Sequence, residues 1–254
     1  MKKWIALLLA AVMLLGTLAL AEKPDYSAMT TEELEALREK NAQELLEVSA
    51  VLGARAHAEA LEPVEGSLGK IRELFPDEIL ACYVRDQLTK FSIEQSVTQA
   101  ELDQITRIYF WATNEYPKDL TGIGYLRNLR QCTVANFYCH FMPDDMRNCT
   151  QLESIYFLNS SVEAIPEWIG ELTMLRTIEI NRGTIRVIPE SIGNLTRLER
   201  LTLENNDIEV IPATIANCVS LKSLELENNN ISEIPEEMWA MEFETLVLSG
   251  NPIR

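Results

Sequence analysis

Few side chains in this sequence are grouped as a catalytic or metal-binding site would require. Cys139, His140, Asp144 and Asp145 lie close together in the chain, but their spacing matches no zinc pattern. The sequence contains no glycine-rich phosphate loop, no nucleophile elbow and no HExxH motif. Neighbouring carboxylates carry little information in a chain whose formal net charge is −17. We therefore predict a protein that is not an enzyme and that needs no metal or other cofactor.

The five cysteines also lack the spacing of a disulfide framework. Four of them, Cys132, Cys139, Cys149 and Cys218, fall at inward positions of a repeating pattern. Cys149 and Cys218 are equivalent positions three repeats apart, which is about 14 Å at about 4.8 Å per strand and too far for a disulfide. We interpret these cysteines as small buried hydrophobic residues.

The chain of 254 residues is acidic, yet it contains enough apolar residues for a folded core. Its hydrophobic fraction is 47%, and its net charge would repel phosphate groups and anionic lipid headgroups. This repulsion argues against binding to nucleic acid or to a membrane surface. Alternatively, the charge only keeps a secreted protein soluble.

One pattern recurs through the C-terminal half of the chain with a period of 23 residues. In the clearest unit, Leu198, Leu201 and Leu203 precede Asn206, and Ile211-Pro212 closes the unit. The first residues of successive units are Leu129, Leu152, Leu175, Leu198 and Leu221, followed after 22 residues by Phe243. A fixed period of this length is typical of a solenoid.

The pattern resembles the leucine-rich repeat, and its length and Ile-Pro segments are similar to the class found in Ras-suppressor-type proteins. The resemblance implies an α/β solenoid with parallel strands on its concave face, which we assign to residues 127–254. Alternation along a strand places Leu201 and Leu203 in the core and Thr202 outside. Asn206, like Asn229 and Asn251, is expected to turn inward and bind unpaired backbone groups. Each return segment should form only a single turn or a short helix.

The outward strand positions change in character along the predicted concave face. The candidate ligand-binding residues are Tyr109, Trp111, Tyr156, Leu158, Glu179, Arg200, Glu204, Glu225 and Glu227. Exposed aromatic side chains on a rigid scaffold anchor partners, and nearby acidic groups select a partner by its charge. We predict a protein or peptide ligand with an apolar patch and a basic end. Alternatively, the N-terminal helix covers the aromatic residues, and the glutamates are only solvated.

The N-terminus has the pattern of a signal peptide over residues 1–21. Lys2 and Lys3 precede a long apolar run, and Ala19-Leu20-Ala21 supplies the small residues of a cleavage site. We predict cleavage before Glu22, secretion, and no membrane insertion afterwards. The alternative is an anchor that is not cleaved, because the apolar run is nearly long enough to span a bilayer.

Residues 22–62 predict one amphipathic helix, followed by a linker over 63–70. Thr30 and Glu33 form a capping box at the start of the helix. Its narrow apolar seam consists of Leu34, Leu37, Asn41, Leu45, Val48 and Leu52. This helix either packs on the rest of the chain or acts as a stalk, or it forms a short coiled coil. Pro63, Gly66 and Gly69 indicate the linker.

Residues 71–126 predict a small, mostly helical cap that leads into the first repeat strand. Pro76 marks the start of one helix, and Thr98 with Glu101 forms the capping box of a second. Ile108 and Phe110 then show the strand spacing of the later repeats. A cap is needed because the first repeat would otherwise expose a strand edge and an open hydrophobic end.

Three stretches of this cap resemble the N-terminal cap of the bacterial internalins. They are Leu74-Phe-Pro-Asp77 with the helix to Leu88, Val97-Thr-Gln-Ala-Glu-Leu-Asp-Gln-Ile105, and Leu120-Thr-Gly-Ile123 through Leu129. The resemblance implies a helical, EF-hand-derived module fused to a repeat surface that binds host receptors. The chain lacks the D-x-D-x-D-G pattern and the bidentate glutamate of a calcium loop, so we predict no calcium.

Two classes of function remain. The first is a secreted, non-enzymatic recognition module, adhesin-like or host-facing, that binds its ligand on the concave face. The second is a structural protein that self-associates through an open C-terminal strand edge or through the N-terminal helix, giving a homodimer.

Overall fold

The structure, a computed structural model, describes residues 65–111, 116–136 and 138–254. The signal peptide predicted over 1–21 and the amphipathic helix predicted over 22–62 lie outside these residues. Within the described part of the chain, no helix is both long enough and apolar enough to cross a membrane.

The described chain begins with a small mixed module and continues as a solenoid. The elements of the module are β1 (Ser67–Lys70), α1 (Ile71–Leu74), α2 (Glu78–Gln87), β2 (Ser96–Thr98) and α3 (Gln99–Leu102). The strands of the solenoid are β3 (Arg107–Phe110), β4 (Gln131–Ala135), β5 (Ser154–Leu158), β6 (Thr177–Ile180), β7 (Arg200–Thr202), β8 (Ser223–Glu225) and β9 (Thr245–Val247).

The solenoid strands β3 to β9 form one parallel sheet in chain order. Gln131 pairs with Ser154, and Ser154 pairs with Thr177, so the register advances by the 23 residues of the repeat. The side chains of Leu201 and Leu203 are fully buried, as the alternation predicts. The predicted leucine-rich repeat fold with its parallel strands is confirmed.

The return segments that connect the strands are short 3-10 helices. They cover Ile123–Tyr125, Asp144–Asn148, Glu167–Glu171, Glu190–Asn194, Ala213–Asn217 and Glu236–Ala240. Pro166 precedes the helix at Glu167–Glu171, and its carbonyl accepts the Ile169 N–H at 3.0 Å. Proline has no N–H to donate at the start of a helix and its φ suits this position, which explains why the five returns from Asp144–Asn148 onward begin after an Ile-Pro or Met-Pro pair. The first return, Ile123–Tyr125, begins after Gly122 instead.

Buried asparagines join the C-terminal repeats to one another. Asn229 Nδ2 donates to the carbonyls of Leu203 and Leu226 at 2.9 and 3.0 Å, and its Oδ1 accepts the Ile208 N–H at 3.0 Å. One side chain thus satisfies backbone groups of its own repeat and of the preceding one. Asn206 makes the same contacts one repeat earlier, so the predicted inward orientation is confirmed.

The N-terminal module contains a two-stranded antiparallel sheet that the sequence does not predict. Residues Ser67–Lys70 lie in the segment 63–70 predicted as a linker, but they form β1 and pair with β2. The prediction fails there because glycine is typical of turns and bulged strands as well as of linkers. Gly66 lies in a turn, Gly69 lies at the bulge of β1, and both have positive φ. The predicted capping box at α3 is present, since Thr98 and Glu101 exchange both side-chain-to-backbone hydrogen bonds.

The module covers the first edge of the solenoid sheet. Tyr83 on α2 packs against Phe110 with 4.9 Å between ring centroids, and its hydroxyl donates to the Arg107 carbonyl at 3.2 Å. The Asp77 side chain caps α2 and accepts the Lys118 N–H at 2.9 Å. These contacts protect the edge strand and the hydrophobic core beneath it, as expected of a cap.

The last described repeat is less covered than the others. Leu246 occupies the inward position at which Leu201 and Leu224 are fully buried, yet 45% of its surface is exposed. No strand among the described residues pairs with the outer edge of β9. Its core end is therefore open within the part of the chain that the structure describes.

Candidate functional site

The strand face of the solenoid presents its outward side chains in straight rows because the strands are parallel and in register. The central row is Tyr109, Thr133, Tyr156, Glu179, Thr202, Glu225 and Val247. We call the outward surface of β3 to β9, including the residues that directly follow these strands, the concave face. Its central row changes from tyrosines to glutamates along the solenoid.

The aromatic end of the concave face belongs to the first three strands. Tyr109 is 52% exposed and Trp111 is 48% exposed, whereas Tyr156 and Leu158 are half-buried. Thr133 lies between the two tyrosines in the central row and is buried, although its strand position faces outward. Its side chain is much shorter than those of Tyr109 and Tyr156 on either side, which leaves a low point between two aromatic rings.

The acidic end of the concave face belongs to the C-terminal strands. Glu179, Glu204, Glu225 and Glu227 are all half-buried there. Burial raises the pKa of the Glu179 carboxyl above its ordinary value, and repulsion from Glu204 and Glu225 raises this pKa further. The pKa of Glu204 is raised by burial and then by Glu225 and Glu227. These carboxylates therefore repel one another, and a cationic group placed among them would be attracted.

Arg200 partly compensates for this charge. Its Nη1 atom lies 3.3 Å from Glu225 Oε1, and the Ser223 hydroxyl donates to the same oxygen at 2.7 Å. The guanidinium also lowers the pKa of Glu179, but by less than burial and the neighbouring carboxylates raise it. The acidic end thus contains one internal cation and remains strongly negative.

All nine residues that the sequence nominates occupy the concave face, but they do not form one cluster. Tyr109, Trp111, Tyr156 and Leu158 occupy one end, and the glutamates with Arg200 occupy the other. This arrangement suits an elongated ligand better than a compact one, because the apolar residues and the charged residues occupy successive repeats.

The Cys139–Asp145 segment has its polar groups engaged in separate structural contacts. His140 Nδ1 lies 3.1 Å from Glu163 Oε1, Asp144 Oδ1 accepts the Trp168 indole N–H at 3.1 Å, and Asp145 Oδ2 accepts the Gly122 N–H at 2.7 Å. Cys139 is only partly buried, which differs from the fully inward position predicted for it. In the described residues, no three His, Cys, Asp or Glu side chains are arranged to hold a metal ion.

Three other cysteines behave as hydrophobic core residues. Cys132, Cys149 and Cys218 are buried and unpaired, and burial raises their thiol pKa values, to about 12 for Cys149 and about 11 for Cys218. A thiol with such a pKa is a poor nucleophile at neutral pH.

Two family models match this chain. A leucine-rich repeat region matches residues 125–242, and the N-terminal domain of bacterial adhesion/invasion proteins, the internalin type, matches residues 56–103. The two matches coincide with the solenoid and with the module that covers its first strand. The chain is an internalin-like leucine-rich repeat protein.

One solved structure supports the fold of this internalin-like protein, and two others are less similar to it. Internalin C2 from Listeria monocytogenes is 21% identical, with a TM-score of 0.57, over 76% of this chain and 92% of that one. An internalin from Listeria monocytogenes, inlF, is 22% identical, with a TM-score of 0.37, over 72% of each chain. The PEPR1–AtPEP1 complex is 26% identical, with a TM-score of 0.48, over 50% of this chain and 19% of that chain.

The internalin-like protein has a second exposed apolar row that the sequence reasoning missed. Phe141, Ala164, Val187 and Val210 each precede the Met-Pro or Ile-Pro pair of their repeat. They recur at the 23-residue period, and this was the signal that could have identified them. The row lies after the turn that follows each strand, so it belongs to a flank of the solenoid and not to the concave face.

Proposed function

We propose that the concave face binds a protein or peptide whose contact surface has an apolar part followed by a basic part. The observation that carries this proposal is the central row, in which Tyr109 and Tyr156 are succeeded by Glu179 and Glu225 in continuous register. A ligand lying along this row would meet aromatic rings first and carboxylates afterwards.

The aromatic end would supply most of the binding free energy. Tyr109 lies on β3, whose backbone is fixed by β4 and by the cap, and Trp111 directly follows this strand; each of these large side chains is about half exposed. Rigid aromatic residues lose little conformational entropy on binding and can bury a large area. An apolar side chain of the ligand would lie over Thr133, between Tyr109 and Tyr156.

The acidic end would select the ligand and accelerate its association. Burial raises the pKa values of Glu179 and Glu204, and repulsion from neighbouring carboxylates raises them further. A lysine or arginine of the ligand would relieve their mutual repulsion. The acidic protein as a whole, with a net charge of −17, would also attract a basic partner over longer distances.

The proposal can be tested by selecting ligands from a random peptide library displayed on phage, with residues 22–254 as the immobilised target. We expect selected peptides to combine aromatic or aliphatic residues with Lys or Arg. Tyr156→Ala should weaken their binding about tenfold, and the double change Glu204→Lys with Glu225→Lys should weaken it at least as much.

Two variants control for general effects of these changes. Trp239→Ala removes an exposed aromatic residue outside the strands, and Glu237→Lys inverts an exposed charge in the last return segment. Both should leave binding unchanged. Unaltered binding by both concave-face variants, with their melting temperatures preserved, would refute the proposal.

We further propose that the protein is secreted and acts outside the cell as a non-enzymatic module. The family model that matches residues 56–103 is described as the N-terminus of bacterial adhesion/invasion proteins, a role that is carried out by binding outside the bacterial cell. The predicted signal peptide over residues 1–21 agrees with this location. N-terminal sequencing of protein from culture medium should give a first residue of Glu22.

Self-association through the last repeat is the second candidate function, and the exposure of Leu246 favours it. A second copy that paired with the outer edge of β9 would bury this side chain together with the half-buried Phe243 and Leu248. Light scattering should then report a dimer that Leu246→Lys converts to a monomer. A monomeric wild-type protein at about 100 μM would exclude this candidate.

A further inference from the structure

A row of exposed apolar side chains runs along one flank of the solenoid. Phe141 is 66% exposed, Val187 is 60% exposed and Val210 is 59% exposed. Val187 and Val210 form a parallel β-bridge, and the Glu209 N–H donates to the Arg186 carbonyl at 3.1 Å. Neighbouring repeats are therefore extended and aligned here, so that equivalent side chains stand next to one another. We call these residues, together with Ala164, the flank row.

The flank row contains a depression at its smallest member. A cavity of about 590 Å³ opens between the repeats of Ala164 and Val187. Its apolar lining comes from Ala164, Ile165, Val187 and Pro189. The position of Ala164 holds phenylalanine in the preceding repeat and valine in the next two, so a short side chain stands in a line of longer ones.

Acidic groups predominate around this depression. Glu163, Glu167 and Asp207 line it, and Arg186 is the cation among its lining residues. Glu163 Oε1 lies 3.1 Å from His140 Nδ1, and Glu167 Oε2 accepts the Ser191 N–H at 3.2 Å. These contacts hold two of the carboxylates at the rim. The depression thus combines an apolar floor with a negative rim.

We propose that the flank row is a second binding surface, which takes an extended peptide segment carrying one apolar side chain with a basic side chain beside it. The apolar side chain would occupy the depression over Ala164, and the basic group would lie next to Glu163 and Asp207. The apolar lining and the excess of carboxylates at its rim identify this occupant by complementarity of shape and charge.

A second copy of the same chain fits this surface less well. The chain has a net charge of −17, so most of its surface segments would bring carboxylates towards Glu163, Glu167 and Asp207. Like charges placed together at an interface oppose binding. A foreign basic segment meets no such repulsion.

The surface is independent of the concave face in sequence and in position. The concave face consists of strand residues and those directly following them, whereas the flank row precedes the return segments. A protein with two such surfaces can bind two partners, or two parts of one partner, at the same time. The concave-face variant Tyr156→Ala should accordingly leave binding to the flank unchanged.

The test uses a defined peptide and the chain of residues 22–254. The probe is the acetylated and amidated peptide Lys-Gly-Leu-Gly-Lys, with Glu-Gly-Leu-Gly-Glu and Lys-Gly-Gly-Gly-Lys as comparison peptides. Titration is followed by amide chemical shifts in NMR spectra of the labelled protein. We expect the probe to shift the amide signals of Ala164, Thr184 and Val187, and to bind about tenfold more tightly than either comparison peptide.

Two protein variants make the test specific. Ala164→Trp fills the depression and should weaken binding of the probe about tenfold, whereas Ala213→Trp, an equally large addition at an exposed site outside it, should not. If Ala164→Trp lowers stability, Glu163→Lys replaces it and should abolish the preference between the lysine and glutamate peptides, because two cations then balance Glu167 and Asp207. Absence of shifts at the flank, equal binding of the two charged peptides to the wild type, or full affinity in a folded Ala164→Trp or Glu163→Lys protein would overturn the proposal.

Discussion

The N-terminal and C-terminal repeats of this solenoid share one backbone but differ in what holds neighbouring repeats together. In the C-terminal repeats Asn206, Asn229 and Asn251 turn inward and bind carbonyls of two successive repeats. The equivalent positions earlier in the chain are Ser160 and Gly183. This series of hydrogen-bonded asparagines, which we call the ladder, is therefore confined to one half of the solenoid.

The same division appears on the concave face. The repeats that lack the inward asparagine carry Tyr156, Leu158 and Glu179, and those that contain it carry Glu204, Glu225 and Glu227. In the C-terminal half the interior follows the repeat pattern closely, and the exterior carries charge. In the N-terminal half the interior departs from the repeat pattern, and the exterior carries less charge. Regular interior positions therefore report the scaffold, whereas the aromatic residues nominated for binding lie in the repeats whose interior departs from the pattern.

Gly183 marks the boundary between the two halves. A Cβ atom placed there would lie 2.6 Å from the Val162 carbonyl oxygen and 2.8 Å from Asn206 Oδ1. The first asparagine of the ladder therefore reaches into space that only a glycine leaves open. The ladder ends at this point because Gly183 has no side chain to continue it, and one repeat earlier the Ser160 hydroxyl makes no hydrogen bond within the described residues.

The largest effect that we predict comes from breaking the core that both halves share. Leu203→Glu would place a carboxylate where the side chain is now fully buried. We expect a loss of more than about 4 kcal/mol in the free energy of unfolding, because the charge finds no partner in an aliphatic core. Circular dichroism during heating should show cooperative loss of structure at a much lower temperature. An unchanged melting temperature would refute the strand register.

The second prediction breaks the comparison directly. Asn229→Ala removes a side chain that satisfies several buried backbone groups, and should lower the free energy of unfolding by about 2–4 kcal/mol. Ser160→Ala removes a buried hydroxyl that has no hydrogen-bond partner among the described residues, and should cost less than about 0.5 kcal/mol. Urea denaturation of both variants measures the two costs. Equal costs would show that the halves are held together in the same way.

Gly183→Ala tests the boundary. The added methyl group would collide with the Val162 carbonyl and displace Asn206, so we expect a loss of about 1–3 kcal/mol. In the double variant Gly183→Ala with Asn206→Ala, part of this cost should disappear, because the collision with the asparagine has been removed. Strict additivity of the two costs would argue against a contact between these positions.

The smallest predicted effect concerns pH. The folded chain holds a proton on Glu179 more tightly than the unfolded chain, because burial and the nearby carboxylates raise its pKa. This contribution stabilises the fold at low pH and is lost as the pH rises through the raised pKa. Between pH 7 and pH 5, the melting temperature of the wild type should therefore rise by about 1 °C relative to Glu179→Gln. The opposite sign would mean that Arg200 dominates the environment of Glu179.

Ligand binding should depend on pH in the opposite direction. A basic ligand needs ionised carboxylates, so its affinity for the concave face should fall as Glu179 and Glu204 become protonated. Calorimetric titration at pH 7 and pH 5 would measure this change, and the Glu179→Gln variant should show less of it.

Much of the scaffold could be predicted from the sequence because it depends on local repetition. The period of 23 residues determines which residue pairs with which, and alternation along a strand determines which side chains enter the core. The capping box at Thr98 and Glu101 was likewise readable, since it needs only two residues at a fixed spacing. The antiparallel pair of β1 and β2 was not readable, because its strands lie far apart in the chain and Gly66 and Gly69 suggest a linker.

The candidate sites divide in the same way. The chemistry of the nine concave-face residues and their common side of the sheet follow from the sequence, because every strand has the same orientation. Only the tertiary structure showed that Thr133 and Thr202 are buried despite their outward strand positions, and that burial and crowded carboxylates raise the pKa values of Glu179 and Glu204. Burial and electrostatic repulsion depend on distances between repeats.

The sequence by itself determined the repeat, its register and the residues that face inward or outward, since these are consequences of periodicity along a single chain. The tertiary structure alone decided how the module covers the first strand and which outward side chains remain accessible. It also decided where the short side chain of Ala164 leaves a depression in the flank row. These properties depend on the contacts between neighbouring repeats. Side chains that are distant in the chain lie next to one another across the sheet, so their volumes and charges act on one another there.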